Sequence, residues 1–368
     1  MISSSDSHAG QAPAAIRRPG ARSVGFWQDA WRRFRRNRLG TAALVFIGIA
    51  AVCAILAPAI AGTRPIVCRY KGQLYFPALE YVYEGGENAI FLRDGFRGVF
   101  PTGLARKDPD SWAIWPLIYK DPYRYIESGE WPGDPGDEDR APPSLRNFFG
   151  TDDQRRDVFA RVLYGTRIAL AVGVFSMGIA GGIGIVLGAL AGYLGGKVDL
   201  VVSRAIEVLM SIPTLVLILA MLSIVQRPGL FHIMAVIGFT RWDSVARYAR
   251  AEFLRLKTSD FVTAARALGA PWYRIVFRHI LPNALAPVLV PITFGIANAI
   301  LIESALSFLG ISGSRGAPSW GRILDTWQTN KECWWLAVFP GLAVFLTVLA
   351  YNLAGDAFQE STDPRLRS

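Results

Sequence analysis

Charge, cysteine and histidine are all scarce. Charged residues make up 18% of the 368-residue chain, against roughly 25% in soluble domains, which argues against a water-soluble globular protein. Cys53, Cys68 and Cys333 are too few and too scattered for a zinc site or a disulfide framework. His8, His232 and His279 stand alone, without the paired spacing of metal ligands. A phosphate-binding loop is also missing. Gly196-Lys197 imitates the end of a Walker A motif, but Ala191 stands where that motif needs Gly, and Val198 where it needs Ser or Thr.

What is present is apolar. Hydrophobic residues make up 52% of the chain. The net charge of +10 would suit nucleic acid, but its distribution points elsewhere. Arginines cluster before Gly40 and between Arg241 and Arg278, beside apolar runs, as the positive-inside rule requires. This excludes nucleic acid as a partner and makes membrane lipid one.

Residues 1–25 have no apolar period and read as a disordered cytoplasmic tail. In the next stretch Trp27, Trp31 and Phe34 share a helical face among Arg32, Arg33, Arg35, Arg36 and Arg38, the pattern of an interfacial helix. Leu39–Ile60 is long enough to cross a hydrocarbon core of about 30 Å. Ala59-Ile60-Ala61 looks like a signal-peptidase site, but the run exceeds a signal h-region of about 7–15 residues, so it is read as a first span. Interfacial helix and span together occupy 26–62.

Residues 63–149 then fall outside as a small α+β or β-rich insert. Ile66–Tyr70, Lys71-Gly72 and Gln73–Phe76 read as strand, turn and strand. Tyr81, Tyr83, Phe91, Trp112, Trp115, Tyr119, Tyr123, Tyr125 and Trp131 supply a small aromatic core. Carboxylates are plentiful here, so an enzymatic or sensor module is the rival reading of this segment.

Five more spans are expected in 150–368: about Ile168–Leu194, Ala205–Val225, Leu230–Thr240, Ala284–Leu309 and Trp335–Leu353. The fourth is short and runs on into a polar helix ending near Arg255. Six crossings make an all-α integral membrane protein with both termini cytoplasmic. In the second span Ala180, Gly184, Gly188 and Gly192 form a small-xxx-small stripe that admits a close helical neighbour. Glu303, late in the fifth, is the intramembrane acid; it either bonds to neighbouring helices or lines the translocation path, and the first reading is preferred. Cys68 and Cys333 both fall outside, where a disulfide between them would persist.

Between the fourth and fifth spans lies 258–282, too polar to cross a bilayer. Ser259 or Thr258 suits an N-cap, and Phe261, Ala264, Ala265 and Leu268 recur on one helical face. Gly269 fits a left-handed C′ position, Pro271 opens a second helix with Trp272, Ile275 and Val276 on its apolar side, and Pro282 ends it. The product is a helix–Gly–helix elbow with Arg266, Arg274 and Arg278 on the polar side.

Thr263-Ala264-Ala265, Gly269 and Leu281-Pro282 resemble the EAA loop of ABC importer permeases, with Thr263 where the loop usually has Glu and His279 where it has Ile. GTDDQRRDVFARVLYGTRIAL (150–170), ALSFLG (305–310), PSWG (318–321), WWLAVFPGLA (334–343) and NLAGDAF (352–358) resemble the second permease subunit of dipeptide and oligopeptide importers. The likeness covers 31–62 and 150–366, with Gln359-Glu360 replacing a usual Arg-Asp pair. RYKGQLYFP and SWAIWP are similar to the insert of a subgroup that takes up microcin C and longer oligopeptides.

The resemblance implies a non-enzymatic permease of a bacterial cytoplasmic (inner) membrane, paired with a homologous first permease subunit. It implies two ATPase subunits, or one fused, beneath it, and an extracytoplasmic peptide-binding protein above. ATP and Mg would be bound by those partners and no cofactor by this chain. Phe261, Thr263, Ala264, Ala265, Leu268, Gly269 and Pro282 would couple it to the ATPase.

Overall fold

The computed structural model describes residues 26–78, 101, 104, 108–226, 228–311 and 317–362. The tail expected over 1–25, and Tyr81, Tyr83 and Phe91 of the expected aromatic core, lie outside the described residues.

Helix α1 (Phe26–Phe34) leads into α2 (Arg38–Ile55) through Asn37, whose side chain accepts from the amide of Gly40 at 3.0 Å and so caps α2. The apolar run does not continue as one helix to Ile60. Pro58 cannot donate to the helical ladder and its ring opposes the carbonyl of residue 54, so α2 stops at Ile55 and a short α3 (Ala57–Ile60) follows. On one side of α2, Ala43 packs against Ala350 and Ala354. On the other, Val45, Ile49, Val52 and Ile55 are exposed, as suits a helix facing lipid.

Strands β1 (Val67–Tyr70) and β2 (Gln73–Tyr75) form the expected hairpin. Its two-residue turn has Lys71 at φ +47° and Gly72 at φ +81°, matching the right-handed twist of the strands. A third strand, β3 (Trp112–Ile114), pairs antiparallel on the other side of β1, opposing Ala113 to Cys68. Beyond it, Trp115, Tyr119 and Trp131 pack with ring centroids 4.9–6.1 Å apart. The buried Lys120–Asp137 ion pair and the Thr63–Asp121 hydrogen bond (2.6 Å) hold the following loops. The hydroxyl of Tyr164 donates to the Ala61 carbonyl at 3.0 Å, tying this segment to the next helix.

That helix, α4 (Val158–Leu194), is the longest unbroken α-helix among the described residues, and Asp157 caps it by accepting from the Ala160 amide at 2.8 Å. Next come α5 (Gly196–Ser211) and α6 (Thr214–Ser223), meeting at 90°. The span expected over Ala205–Val225 is therefore broken in its interior. Pro213 forces its predecessor out of the helical region, and Ile212 is extended at φ −101°, ψ 129°.

Helices α7 (Leu230–Thr240) and α8 (Trp242–Lys257) follow end to end and run along α4 in the same direction. Gly238 lies against Ile179, Gly184 against Val245, and Gly192 against Phe253. The elbow helix α9 (Asp260–Ala267), the turn α10 (Trp272–Arg274) and a π-helical turn (Ile275–Ile280) then lead into α11 (Leu281–Phe308). Last come α12 (Trp320–Thr329), capped by Ser319, and α13 (Trp335–Thr362). The main core joins α4, α6, α7, α8 and α11 through Val172, Met177, Ile218, Ile237, Val245 and Val288.

The described chain is thus mostly helical. Arg38–Ile55, Val158–Leu194, Trp272–Phe308 and Trp335–Thr362 are each long and apolar enough to cross a membrane, and α5 with α6 qualifies as a bent pair. The disulfide considered between Cys68 and Cys333 is absent: both thiols are free and buried. Cys68 lies inside the sheet, where burial pushes its thiol up to about 11. Cys333 packs with Val158, Ile323 and Leu336.

Candidate functional site: the helical elbow and its supports

The elbow hangs from α8. At its end the Thr258 hydroxyl donates to the Arg255 carbonyl (3.1 Å) and the Ser259 hydroxyl to the Leu256 carbonyl (2.6 Å). Ser259 holds the N-cap backbone position of α9, φ −72°, ψ 153°, but its side chain is spent backwards and does not cap. Thr263 is exposed and its hydroxyl donates to the Ser259 carbonyl at 3.2 Å.

One residue sequence reasoning passed over anchors the elbow. Val262 is fully buried among Phe253 and Leu256 of α8, Ile275, Val276 and Ile280 of the π-helical turn, and Ala284 of α11. Ala265, three residues on, is half-buried against the same cluster. The neighbouring stripe is left outside: Phe261 is 41% and Leu268 88% exposed, and Ala264 is exposed between them. Helix α9 is apolar on two sides, so periodicity found a true stripe without telling which one faces inward.

Gly269 closes α9 at φ +77°, where a β-carbon would be strained. Its amide reaches the Arg266 carbonyl (3.0 Å) and the Ala270 amide reaches Ala265 (3.1 Å), the paired bonds of a Schellman cap. Beyond the turn Ile275 and Val276 are buried, while Trp272 (62%), Tyr273 and Phe277 (64%) are exposed and continue the apolar surface.

Pro282 does not end the second helix, a correction to the expected elbow. The Leu281 amide bonds the Val276 carbonyl five residues back, and the chain passes through this wider turn straight into α11. Pro282 sits at the second position of α11, where a missing amide hydrogen is tolerated.

The glycine stripe supports this arrangement from behind. Gly184, Gly188 and Gly192 face Val245, Ala246, Ala249 and Phe253 of α8. At the far end Lys257 donates to the Tyr193 carbonyl (2.5 Å), and Arg250 forks onto Asp199 of α5, with Nη2 2.8 Å from Oδ2. Elbow, α8 and the end of α4 therefore form one packed unit.

Glu303 is remote from the elbow. It is buried where α11 packs on α12, its Oε1 accepting from the Ser307 hydroxyl at 2.7 Å, with Ser304 and Ser319 as further polar neighbours. Gly321 of α12 lies directly on the Ser304 backbone. A second buried charge cluster escaped sequence reading. Asp152 accepts from Arg156 Nε (2.8 Å), from the backbone amides of Gln154 and Arg156, and from Arg161, all ahead of or within the first turn of α4. Among the described residues no His, Cys, Asp and Glu gather in a group able to hold a metal ion.

Residues 184–368 match the model of the family described as binding-protein-dependent transport system inner membrane component, and residues 25–72 match the N-terminal TM domain of oligopeptide transport permease C. The chain is 33% identical to the inner membrane ABC transporter permease protein YejE of Escherichia coli, over 92% of this chain and 96% of that one. It is 30% identical to the peptidoglycan transport system permease protein YejE of Agrobacterium fabrum, over 91% and 92%. To the dipeptide transport system permease protein DppC of Bacillus subtilis it is 38% identical, over 62% of this chain and 72% of that one. None of these relatives supports an enzymatic reading of the segment before α4. The chain belongs to the family of binding-protein-dependent transport system inner membrane components, as a transporter permease subunit and not an enzyme.

Proposed function

We propose that this chain forms half of the pore of an ATP-driven importer that takes up peptides across a bacterial cytoplasmic membrane. The substrate class rests on the dipeptide and peptide transport named in relatives and on the oligopeptide permease named in the matching N-terminal family model. The other half would be a homologous permease subunit. Two ATPase subunits, or one fused, would bind ATP and Mg on the inner side, and a binding protein would deliver peptide outside.

Six crossings fit this role: α2, α4, the bent pair α5–α6, α7 with α8, α11, and α13. The parallel run of α7–α8 beside α4 supports the count, because two helices crossing in the same direction need a return crossing between them. In this reading the insert 63–149 would lie outside and the elbow and both termini inside, a choice supported by the Arg-rich α1 and α8.

The observation that carries the proposal is the elbow's surface. Phe261, Leu268, Trp272 and Phe277 are exposed on a backbone locked from behind by Val262 and closed by Gly269. An apolar helical ridge of this kind fills a groove on a partner. When the ATPases close, they would push α9. Its Val262 contacts would pass the push to α8 and to α11 together, and the π-helical turn, a usual place for a helix to kink, is the natural place to bend. Leu268→Glu puts a charge on the ridge without touching the core, and Gly269→Val strains its turn. Both variants should reach the membrane, lose peptide uptake and release the ATPase on purification. Wild-type uptake with the ATPase retained by both would refute the docking role.

A further inference from the structure

Where α1 packs on the end of α13, two openings lie on opposite faces of α1 and share Ser361. The first, about 600 Å³, is polar and lined by Asp29, Arg32, Arg33, Arg36, Asn37 and Glu360. The second, about 220 Å³, is apolar and lined by Trp31, Phe34, Leu44, Thr293, Ala354 and Phe358. The coupling role proposed above assigns no part to either.

The acids of the polar opening are already engaged. Asp29 pairs with Arg33 at 3.1 Å, and Glu360 accepts from the Asn37 amide group at 3.0 Å. Arg32 and Arg36 are exposed and form no ion pair among the described residues. The Arg35 guanidinium lies 5.1 Å from the centre of the Trp31 ring, at the border of the apolar opening. Two free guanidinium groups on one face of a helix, with an apolar slot on the other, match a ligand that has both an anionic head and a hydrocarbon tail.

We propose that this pair of openings holds one anionic glycerophospholipid. Its phosphate sits between Arg32 and Arg36, and one acyl chain wraps α1 to lie along Trp31, Phe34, Leu44 and Phe358. A zwitterionic lipid would fill the apolar slot equally well but would bring a like charge to the guanidinium groups. The chain's own segment before α1 is a poorer occupant, because it carries Arg17, Arg18 and Arg22 against a single acid, Asp6. The bound lipid would clamp α1 to α13, which in turn packs on α11 through Tyr351 and Ala297. The proposal rests on the topology above only in setting α1 at the inner leaflet.

The test is native mass spectrometry of the purified transporter in neutral detergent, titrated with phosphatidylglycerol, with phosphatidylcholine, and with inorganic phosphate as competitor. One retained phosphatidylglycerol, no comparable phosphatidylcholine, and no displacement by millimolar phosphate are expected. Loss of two basic side chains near a headgroup should weaken phosphatidylglycerol about 30-fold in the double variant Arg32→Gln/Arg36→Gln. Arg38→Gln, outside both openings, should leave it unchanged. Equal retention of the two lipids, or wild-type affinity in the double variant, overturns the proposal. Displacement by free phosphate would reduce the site to a simple anion pocket. Retention only after deletion of residues 2–22 would make that segment the occupant, and either result also overturns the lipid. Labelling of Arg36→Cys by an impermeant maleimide, in inverted membranes and not in intact cells, tests the topology separately.

Discussion

Replacing Gly184 by alanine tests whether the glycine stripe sets the position of the elbow. A β-carbon there would lie 2.7 Å from Val245 Cβ, 2.8 Å from the Trp242 carbonyl oxygen and 2.9 Å from the Ala246 amide nitrogen. Carbon atoms rest about 3.5–4.0 Å apart, so α4 and α8 must separate by roughly 1 Å. No rotamer change relieves this, because every neighbour is backbone or a β-carbon. Overpacking of this kind costs about 1–3 kcal/mol. Glycine-to-alanine within a helix also returns about 1 kcal/mol of propensity, which would blur the result on its own. Gly182, in the same helix, has nothing within 4 Å of its would-be β-carbon and supplies the control. Gly182→Ala carries the propensity gain alone, so the two variants should differ by the overpacking energy, about 1–3 kcal/mol. The thermal midpoint of the purified transporter measures it, with Gly184→Ala below wild type and Gly182→Ala at or above it. Peptide uptake should fall in the first variant only, because α8 carries α9 and moves with it. Equal midpoints for the two variants would refute the close-packing account.

Two further predictions concern the N-terminal end of α4 and the cysteines. Burial raises the Asp157 carboxyl from 3.8 to about 6, so between these values the folded chain binds a proton that the unfolded chain has lost. Stability from this group is therefore complete below about pH 4 and declines as pH rises to 6, by roughly 3 kcal/mol. Asp157→Asn keeps an acceptor for the Ala160 amide and removes the titration, so its midpoint should gain on wild type from pH 4 to 6.5; a constant difference would contradict the buried carboxyl. Cys68 and Cys333 should take up maleimide equally in denatured protein with and without prior reduction, and extra labelling after reduction would reveal a disulfide.

Much of this molecule is decided by local chemistry, and that part was legible. The Lys71-Gly72 turn and Gly269 at a positive φ depend on residues within four positions of one another. The spacing of Gly184, Gly188 and Gly192 announced a close neighbour for the same reason. It could not say that the neighbour is α8 running parallel, because that depends on how α5 and α6 return the chain. Prolines were misjudged in both directions: Pro58 and Pro213 break helices that the sequence reading ran through, whereas Pro282, expected to end a helix, sits at the start of α11 because a π-helical turn precedes it. In the elbow, two apolar stripes compete on a short helix, and only the packing of Phe253, Ile280 and Ala284 around Val262 decided which one turns inward. The approach of Ser319 to Glu303, and the meeting of α1 with the end of α13 more than 320 residues later, are tertiary facts as well. Residue type and spacing act over one or two turns of helix, while which faces meet depends on the burial of the whole chain.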